Sequence, residues 1–421
     1  MENLLLLSAV TLGIIVLIGF LNEKVFHLNY EISLMLFSVL IGIILTVSVS
    51  AIREESVKEL LQKIQVFDLE AFLMRGVLCF MLFAGSCHLT ISQFRQNARP
   101  ISVLAFVCTL LGAVFYGLLF YAVASVFHLP FTLPVCLMFG SIIAPTDPIA
   151  ATSILKKFGL PKKTGFLMEG ESLLNDGVGV ALFAVFSGIV TAQKNGGFFQ
   201  IMLREIVGAV IVGTAVTWLC FLLFKSTEDK HRRIIITLFA VSASFTICEI
   251  LGCSGAIACV VCGVVFSTLR EKEEEKGRKW ELEELDTFWE TLDVLLNSAL
   301  YVILGLSFVR ILQMPHVLGL ALAAIICNLA SRAASLWAGS WLLGSIPDGY
   351  HRSGFIALFT WGGLRGGLSL ALAVSTASIV PEETYVIILG CTYAIVFFTT
   401  VVQGLTMKNV FQRVSGKTAI S

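Results

Sequence analysis

The stretch SIIAPTDPIAATSIL, Ser141 to Leu155, lies in a segment apolar enough to cross a membrane, yet it sets two prolines around a carboxylate. Pro145 and Pro148 remove two backbone donors and disfavour helix at the residues before them, Ala144 and Asp147. The helix is therefore expected to break there. Unwound backbone at membrane depth is tolerated only where it lines a cavity or is buried in protein. Thr146 and Asp147 then become oxygen ligands at an interrupted helix, which suits a small hard cation. The plainer alternative is a proline kink with Asp147 capping the second half-helix. A second stretch, FTWGGLRGGLSLALAV, Phe359 to Val374, places four glycines around Arg365, each weakening a helix by about 1 kcal/mol relative to Ala. If the chain is two six-span repeats separated by a seventh span, these two stretches occupy equivalent places, the fifth and the twelfth, in inverted halves. Such a pair points to a transporter site near the bilayer midplane.

Composition supplies the membrane. The chain is 57% hydrophobic and 14% charged, with a mean hydropathy of +0.89, against about 45–50% and about 25% for soluble domains. Helix needs about 20 apolar residues to cross the hydrocarbon. Windows of that kind fall at 3–20, 30–49, 72–90, 101–127, 132–154, 164–192, 201–225, 233–251, 253–270, 287–310, 315–343, 354–380 and 384–407. The reading is an all-α polytopic membrane protein of about thirteen spans, residues 1–407, with a short tail over 408–421. MENLLLL at the start has no basic region before its apolar run, so it reads as a span and not as a leader. Sorting Lys and Arg onto alternate connections gives about twenty on one side and about six on the other. The basic side is expected to be the cytoplasm, with the N-terminus outside and the C-terminus inside.

Between the spans, Ala51 to Glu70 places Val57, Leu60, Leu61 and Ile64 on one helix face and is expected to lie in the interface. Glu271 to Leu285 reads as a solvated connector. The eleven Cys, including the lone CxxC of Cys259 and Cys262, read as packing residues. Zero formal net charge argues against a nucleic-acid partner.

A third stretch, LMEGESLLNDGVGVALF, Leu167 to Phe183, holds three carboxylates in an apolar helix. Ser172 and Asp176 share one face, and Glu171 with Asn175 forms a second pair displaced around the helix. Glu169 sits at the basic end, where it is expected to be an interfacial charge.

APTDP at 144–148, EGESLLNDG at 169–177, CEILGCSGAIACVVCGVV at 248–265 and WGGLRGGLSLALA at 361–373 together resemble the monovalent cation/proton antiporter superfamily, in its sodium/proton exchanger branch. The resemblance runs across essentially the whole chain. It implies two inverted six-helix repeats with interrupted helices and a homodimer. A core around 132–192 and 354–407 would move against a dimerisation part that includes 3–49 and 201–270. Asp176 would bind cation or proton, with Asp147, Ser172 and Thr146 lining the sodium site and Asn175 beside the crossed half-helices. Glu171 and Arg365 would form a structural ion pair. Members with Asn at the position of Asn175 are generally electroneutral. One departure stands out: many relatives carry an acid in the third span, where this chain has Ala84 in MLFAGSCHL.

The implied function is exchange of Na+ or Li+ for H+ across a bacterial or archaeal inner membrane, with no cofactor and no enzymatic step. A carboxylate drawn out of water needs a proton or a cation on it, so the two compete for Asp176 and only a loaded site crosses cheaply. Potassium/proton exchange is the near alternative. A cation channel would need a continuous pore. An intramembrane aspartyl protease would use Asp147 and Asp176 as a dyad and leaves Arg365 unexplained. His88, beside the third span, is a candidate pH sensor, although packing is the simpler role.

Overall fold

Helix occupies part or all of every apolar window. The computed structural model describes residues 2–51, 77–87, 89–147, 149–191, 198–277, 280, 282–312 and 315–416. Among them the elements are α1 (Glu2–Leu21), α2 (Tyr30–Ala51), α3 (Leu78–Ser86), α4 (Ala98–Val126), α5 (Leu133–Ile143), α6 (Ile149–Lys157), α7 (Lys162–Val190) and α8 (Phe198–Ser226). They continue with α9 (Lys230–Leu251), α10 (Gly255–Glu275), α11 (Glu283–Leu312), α12 (Pro315–Leu342), α13 (Arg352–Trp361), α14 (Gly367–Ser375) and α15 (Glu382–Val414). Eight of the described helices are long and apolar enough to span a bilayer, and the shorter apolar ones include Leu133–Ile143 and Gly367–Ser378. The proposed interface helix lies outside the described residues, apart from Ala51 at the end of α2. His88 is also outside them.

The two interruptions fall where the sequence put them. The fifth window splits into α5 and α6 around Ala144–Asp147, and the twelfth into α13 and α14 around Gly362–Gly366. The two unwound segments meet: Asp147 N–H donates to Leu364 C=O at 2.8 Å, an isolated antiparallel bridge among described residues that are mostly helical. Antiparallel crossing is what inverted halves require.

Packing divides around this crossing. One core gathers α4, α5, α7, α12, α14 and α15 around Phe120, Phe139 and Ile142. A neighbouring core joins α6, α7 and α13 to the far end of α15 through Leu155, Phe355 and Phe359. On the other side α3, α8, α9 and α10 pack on Trp289 of α11, and α1, α2 and α11 pack against α14 and α15. All eleven cysteines are free and buried. Cys259 and Cys262 sit inside the core around Trp289.

The segment read as a solvated connector is largely exposed where it is described, and ion pairs run within it and beside it. Its first residues extend α10 to Glu275, and Arg270 makes two hydrogen bonds to Asp286, at 2.8 and 3.1 Å. Lys225 at 2.6 Å and Lys276 at 2.9 Å flank Glu273. Hydrogen bonds from these lysines, Lys225 first, hold the Glu273 carboxyl down to about 2. A depressed carboxyl contributes stability above its unfolded pKa and loses it only as pH falls through the folded value. These pairs should therefore contribute fully above about pH 5 and be lost only as pH falls toward about 2. The expected result is no change in thermal stability between Glu273→Gln and the parent chain that depends on pH above about 5, checked by melting the detergent-solubilised protein across that range.

Candidate cation site

Pro148 has no N–H to give the carbonyl of Ala144 four residues earlier, so the end of α5 is left with an unmet acceptor. Arg365 meets it. Its Nη1 donates to Ala144 C=O and to Pro145 C=O, each at 2.7 Å. Its Nε and Nη2 donate to Asn328 Oδ1 at 3.2 and 2.9 Å, and its backbone N–H donates to Thr399 Oγ1 at 3.0 Å. A guanidinium at a helix C-terminus is also favoured by the helix dipole. Thr399 lies in a π-helical stretch of α15, Phe398–Gln403, a local widening that often marks functional positions.

Arg365 is therefore not the partner of Glu171, as the sequence led us to expect. Glu171 Oε1 pairs with Arg332 Nη2 of α12 at 2.6 Å, with both side chains almost fully buried. The reason is geometric: Arg365 is consumed by the carbonyls of Ala144 and Pro145 at the break, whereas Arg332 sits one turn beyond Asn328 on the same face of α12. Arg332 was legible. It is an ionised residue in the middle of the 315–343 window, and the rule that made Asp176 conspicuous applies to it equally.

Unwound Thr146 is braced from α7. Asn175 Oδ1 accepts from Thr146 N–H at 3.2 Å, Asn175 Nδ2 donates to Thr146 Oγ1 at 2.7 Å, and Ser172 Oγ donates to Thr146 C=O. Each polar atom of that residue is thus met without water. Gly179 lets α7 lie this close, since a Cβ there would sit 2.2 Å from Pro145 Cγ. Gly179→Ala should cost about 1–3 kcal/mol through overpacking, read as a lowered melting temperature. Gly366 plays the same part across the crossing, where a Cβ would fall 2.9 Å from Asp147 Oδ2.

A cavity of about 660 Å³ opens beside the crossing. Thr146, Asp147, Ser172 and Asp176 all line it, together with Ala84 and Gly85 of α3. Asp176 is half-buried and has no hydrogen-bond partner among the described residues. Asp147 Oδ2 accepts from Tyr301 OH at 3.1 Å. At the basic end of the molecule Lys156 and Glu169, 63% and 33% exposed, form an ion pair at 2.8 Å on the rim, so Glu169 does mark the mouth. The starts of α6 and α14 lie next to Asp147, and helix N-termini carry partial positive charge. Of the expected site residues, Asp176, Asp147, Ser172 and Thr146 are brought to one cavity; Asn175 is fully buried behind it, and Glu171 and Arg365 belong to the scaffold. The sequence reading missed Tyr301, Asp293 and Asn297 of α11, although Asp293 falls inside the 287–310 window.

Broken helices that cross antiparallel beside an acidic cavity define an inverted-repeat membrane transporter. The profile of the transmembrane sodium/hydrogen exchanger family matches residues 9–413, and the chain belongs to that family. It is 30% identical over 378 residues to the Na(+)/H(+) antiporter NhaP of Pseudomonas aeruginosa, covering 86% of this chain and 85% of that one. It is 28% identical over 422 residues to NhaH of Halobacillus dabanensis, covering 98% and 97%. The fold is shared with the sodium proton antiporter MjNhaP1 of Methanocaldococcus jannaschii at a TM-score of 0.77 and 17% identity, covering 98% of this chain and all of that one.

Proposed function

We propose that this multi-pass membrane protein exchanges Na+ or Li+ for H+, with cation and proton competing for Asp176. The observation that carries the reading is the cavity itself, which presents Asp176 and Asp147 to solvent from the basic end, against a crossing whose own polar atoms are already met. A scaffold satisfied in this way leaves the Asp176 carboxylate for the transported ions. The basic end is the cytoplasmic one, by the Lys and Arg asymmetry. The group built from α4–α7 and α12–α15 is the moving core and carries the site past the remaining helices, in a homodimer.

Exchange is electroneutral in this reading, because Asn175 adds no charge beside Asp176. Asn175→Asp should keep the brace, since a carboxylate accepts from both the Thr146 N–H and the Thr146 hydroxyl. Exchange should then acquire a dependence on membrane potential that the parent chain lacks. Clamping the potential in proteoliposomes with potassium and valinomycin checks this. Equal insensitivity of both proteins would count against the role of Asn175. The function itself is tested by dissipation of a pH gradient in everted vesicles on adding sodium, lithium or potassium. A response to potassium alone would overturn the choice of cation.

A further inference from the structure

Two helices, not one, carry a polar stripe down the cavity. On α7 it is Glu169, Ser172 and Asp176, at spacing i, i+3, i+7; on α11 it is Glu290, Asp293 and Asn297, at the same spacing, and all six residues line the cavity. Each stripe begins seven residues after the start of its helix, and both helices start at the basic end. Ser92 of the short helix Ile91–Gln96 bonds to Glu271 at 3.3 Å, and Phe94 two residues on packs against Phe166 of α7 at 6.0 Å. About 10 Å of helix separates the first and last residues of each stripe. Burial deepens along α11 from exposed Glu290, through half-buried Asp293, to Asn297 at 5% exposure. One turn further, Tyr301 reaches Asp147.

We infer that the α11 stripe is the second wall of the path by which the transported cation reaches Asp147, and that Asp293 contacts the cation on the way. The inference rests on the exchange reading. Asn297 is the positioning residue: its Nδ2 donates to Asp293 Oδ1 at 3.0 Å and to Asp293 C=O at 3.1 Å, holding the carboxylate on the cavity wall. Two buried oxygens at this cavity, Asn297 Oδ1 and Ser369 Oγ of α14, have no hydrogen-bond partner among the described residues. Buried polar atoms are rarely left so, and a cation supplies what oxygen acceptors lack. The lining sets five acids, Asp147, Glu169, Asp176, Glu290 and Asp293, against one base, Lys156, which the rim ion pair engages. The α3 residues that line the cavity, Leu78, Met81, Leu82, Ala84 and Gly85, carry no charge, so α11 is where a further carboxylate enters the cavity.

The test uses the full chain in proteoliposomes, with sodium-driven proton movement measured against sodium concentration. A cleft of one charge sign concentrates counter-ions about tenfold or more. Asp293→Asn should therefore raise the KM for sodium about tenfold while the maximum rate stays within about twofold. Asp293→Glu should remain near the parent value, and Asn297→Ala should raise KM by a smaller factor at unchanged maximum rate. An active parent chain whose KM survives Asp293→Asn overturns this inference alone. So does an inserted Asp293→Asn protein that is inactive at every sodium concentration, since a residue of the path is not the carrier. An inert parent chain overturns the exchange reading and this one with it.

Discussion

Asp176→Asn is expected to abolish sodium-coupled proton movement while the protein still inserts and keeps its melting temperature within a few degrees. The carboxylate has no hydrogen-bond partner among the described residues and braces nothing. Removing its charge therefore subtracts the binding group and leaves the scaffold. Asn keeps the side-chain volume and offers a single neutral oxygen that cannot release a proton, so neither half of the exchange is served. The loss should reach background, a reduction of about 10²-fold or more for a group on which every turnover depends. Retained exchange above about a tenth of the parent rate would mean that another carboxylate carries the ions, and Asp147 would be the first to test by the same substitution.

The second large effect concerns stability. Glu171→Gln, or Arg332→Met, should destabilise the protein by about 3–5 kcal/mol, because each leaves one buried charge without its partner. Removing both together, as Glu171→Gln with Arg332→Met, should recover much of that loss, since a neutral pair carries no uncompensated charge. A thermal melt of the four proteins in one detergent measures the coupling. Simple additivity of the two single losses would show that the ion pair is not what holds α7 to α12. Substituting Arg365 should differ in kind. It strips the carbonyls of Ala144 and Pro145 of their donor, so the crossing loosens and exchange falls even where the helices remain packed.

The contrast between these two arginines shows what the sequence carried and what it did not. The breaks were legible because proline chemistry is local: Pro145 and Pro148 interrupt a helix wherever it lies. Asp176 was legible because a carboxylate at membrane depth has so few bland explanations. The antiparallel pairing of the two breaks followed from their places in the chain. Which arginine meets Glu171 was not local. It depends on how α12 rotates against α7, and on the prior claim that freed carbonyls make on Arg365, a claim visible only once the two unwound segments touch. Asn175 illustrates the same limit. Its place beside Asp176 was readable, but its two bonds to Thr146 required the fold. The α11 stripe was within reach, since Asp293 and Asn297 are one turn apart inside an apolar window, but they lack the prolines and glycines that drew notice elsewhere.

Ala84 leaves the third span without the acid that the resemblance led one to look for, and the structure places Ala84 on the cavity wall. The carboxylates that do face the cavity come from α7, from α11 and from the crossing. The expected Asp176, Asp147, Ser172 and Thr146 still line one cavity, and the further carboxylates on its wall come from α11 and from Glu169 of α7.

Competition at one carboxylate makes a specific demand on kinetics. The decisive measurement is the KM for sodium, with the full chain in proteoliposomes, as the pH on the sodium-binding side is lowered in steps. If proton and cation share Asp176, mass action requires KM to climb toward about tenfold per pH unit once the proton dominates, with the maximum rate at saturating sodium unchanged. A KM that stays constant while the maximum rate falls with pH would place the proton on a separate group and contradict the account.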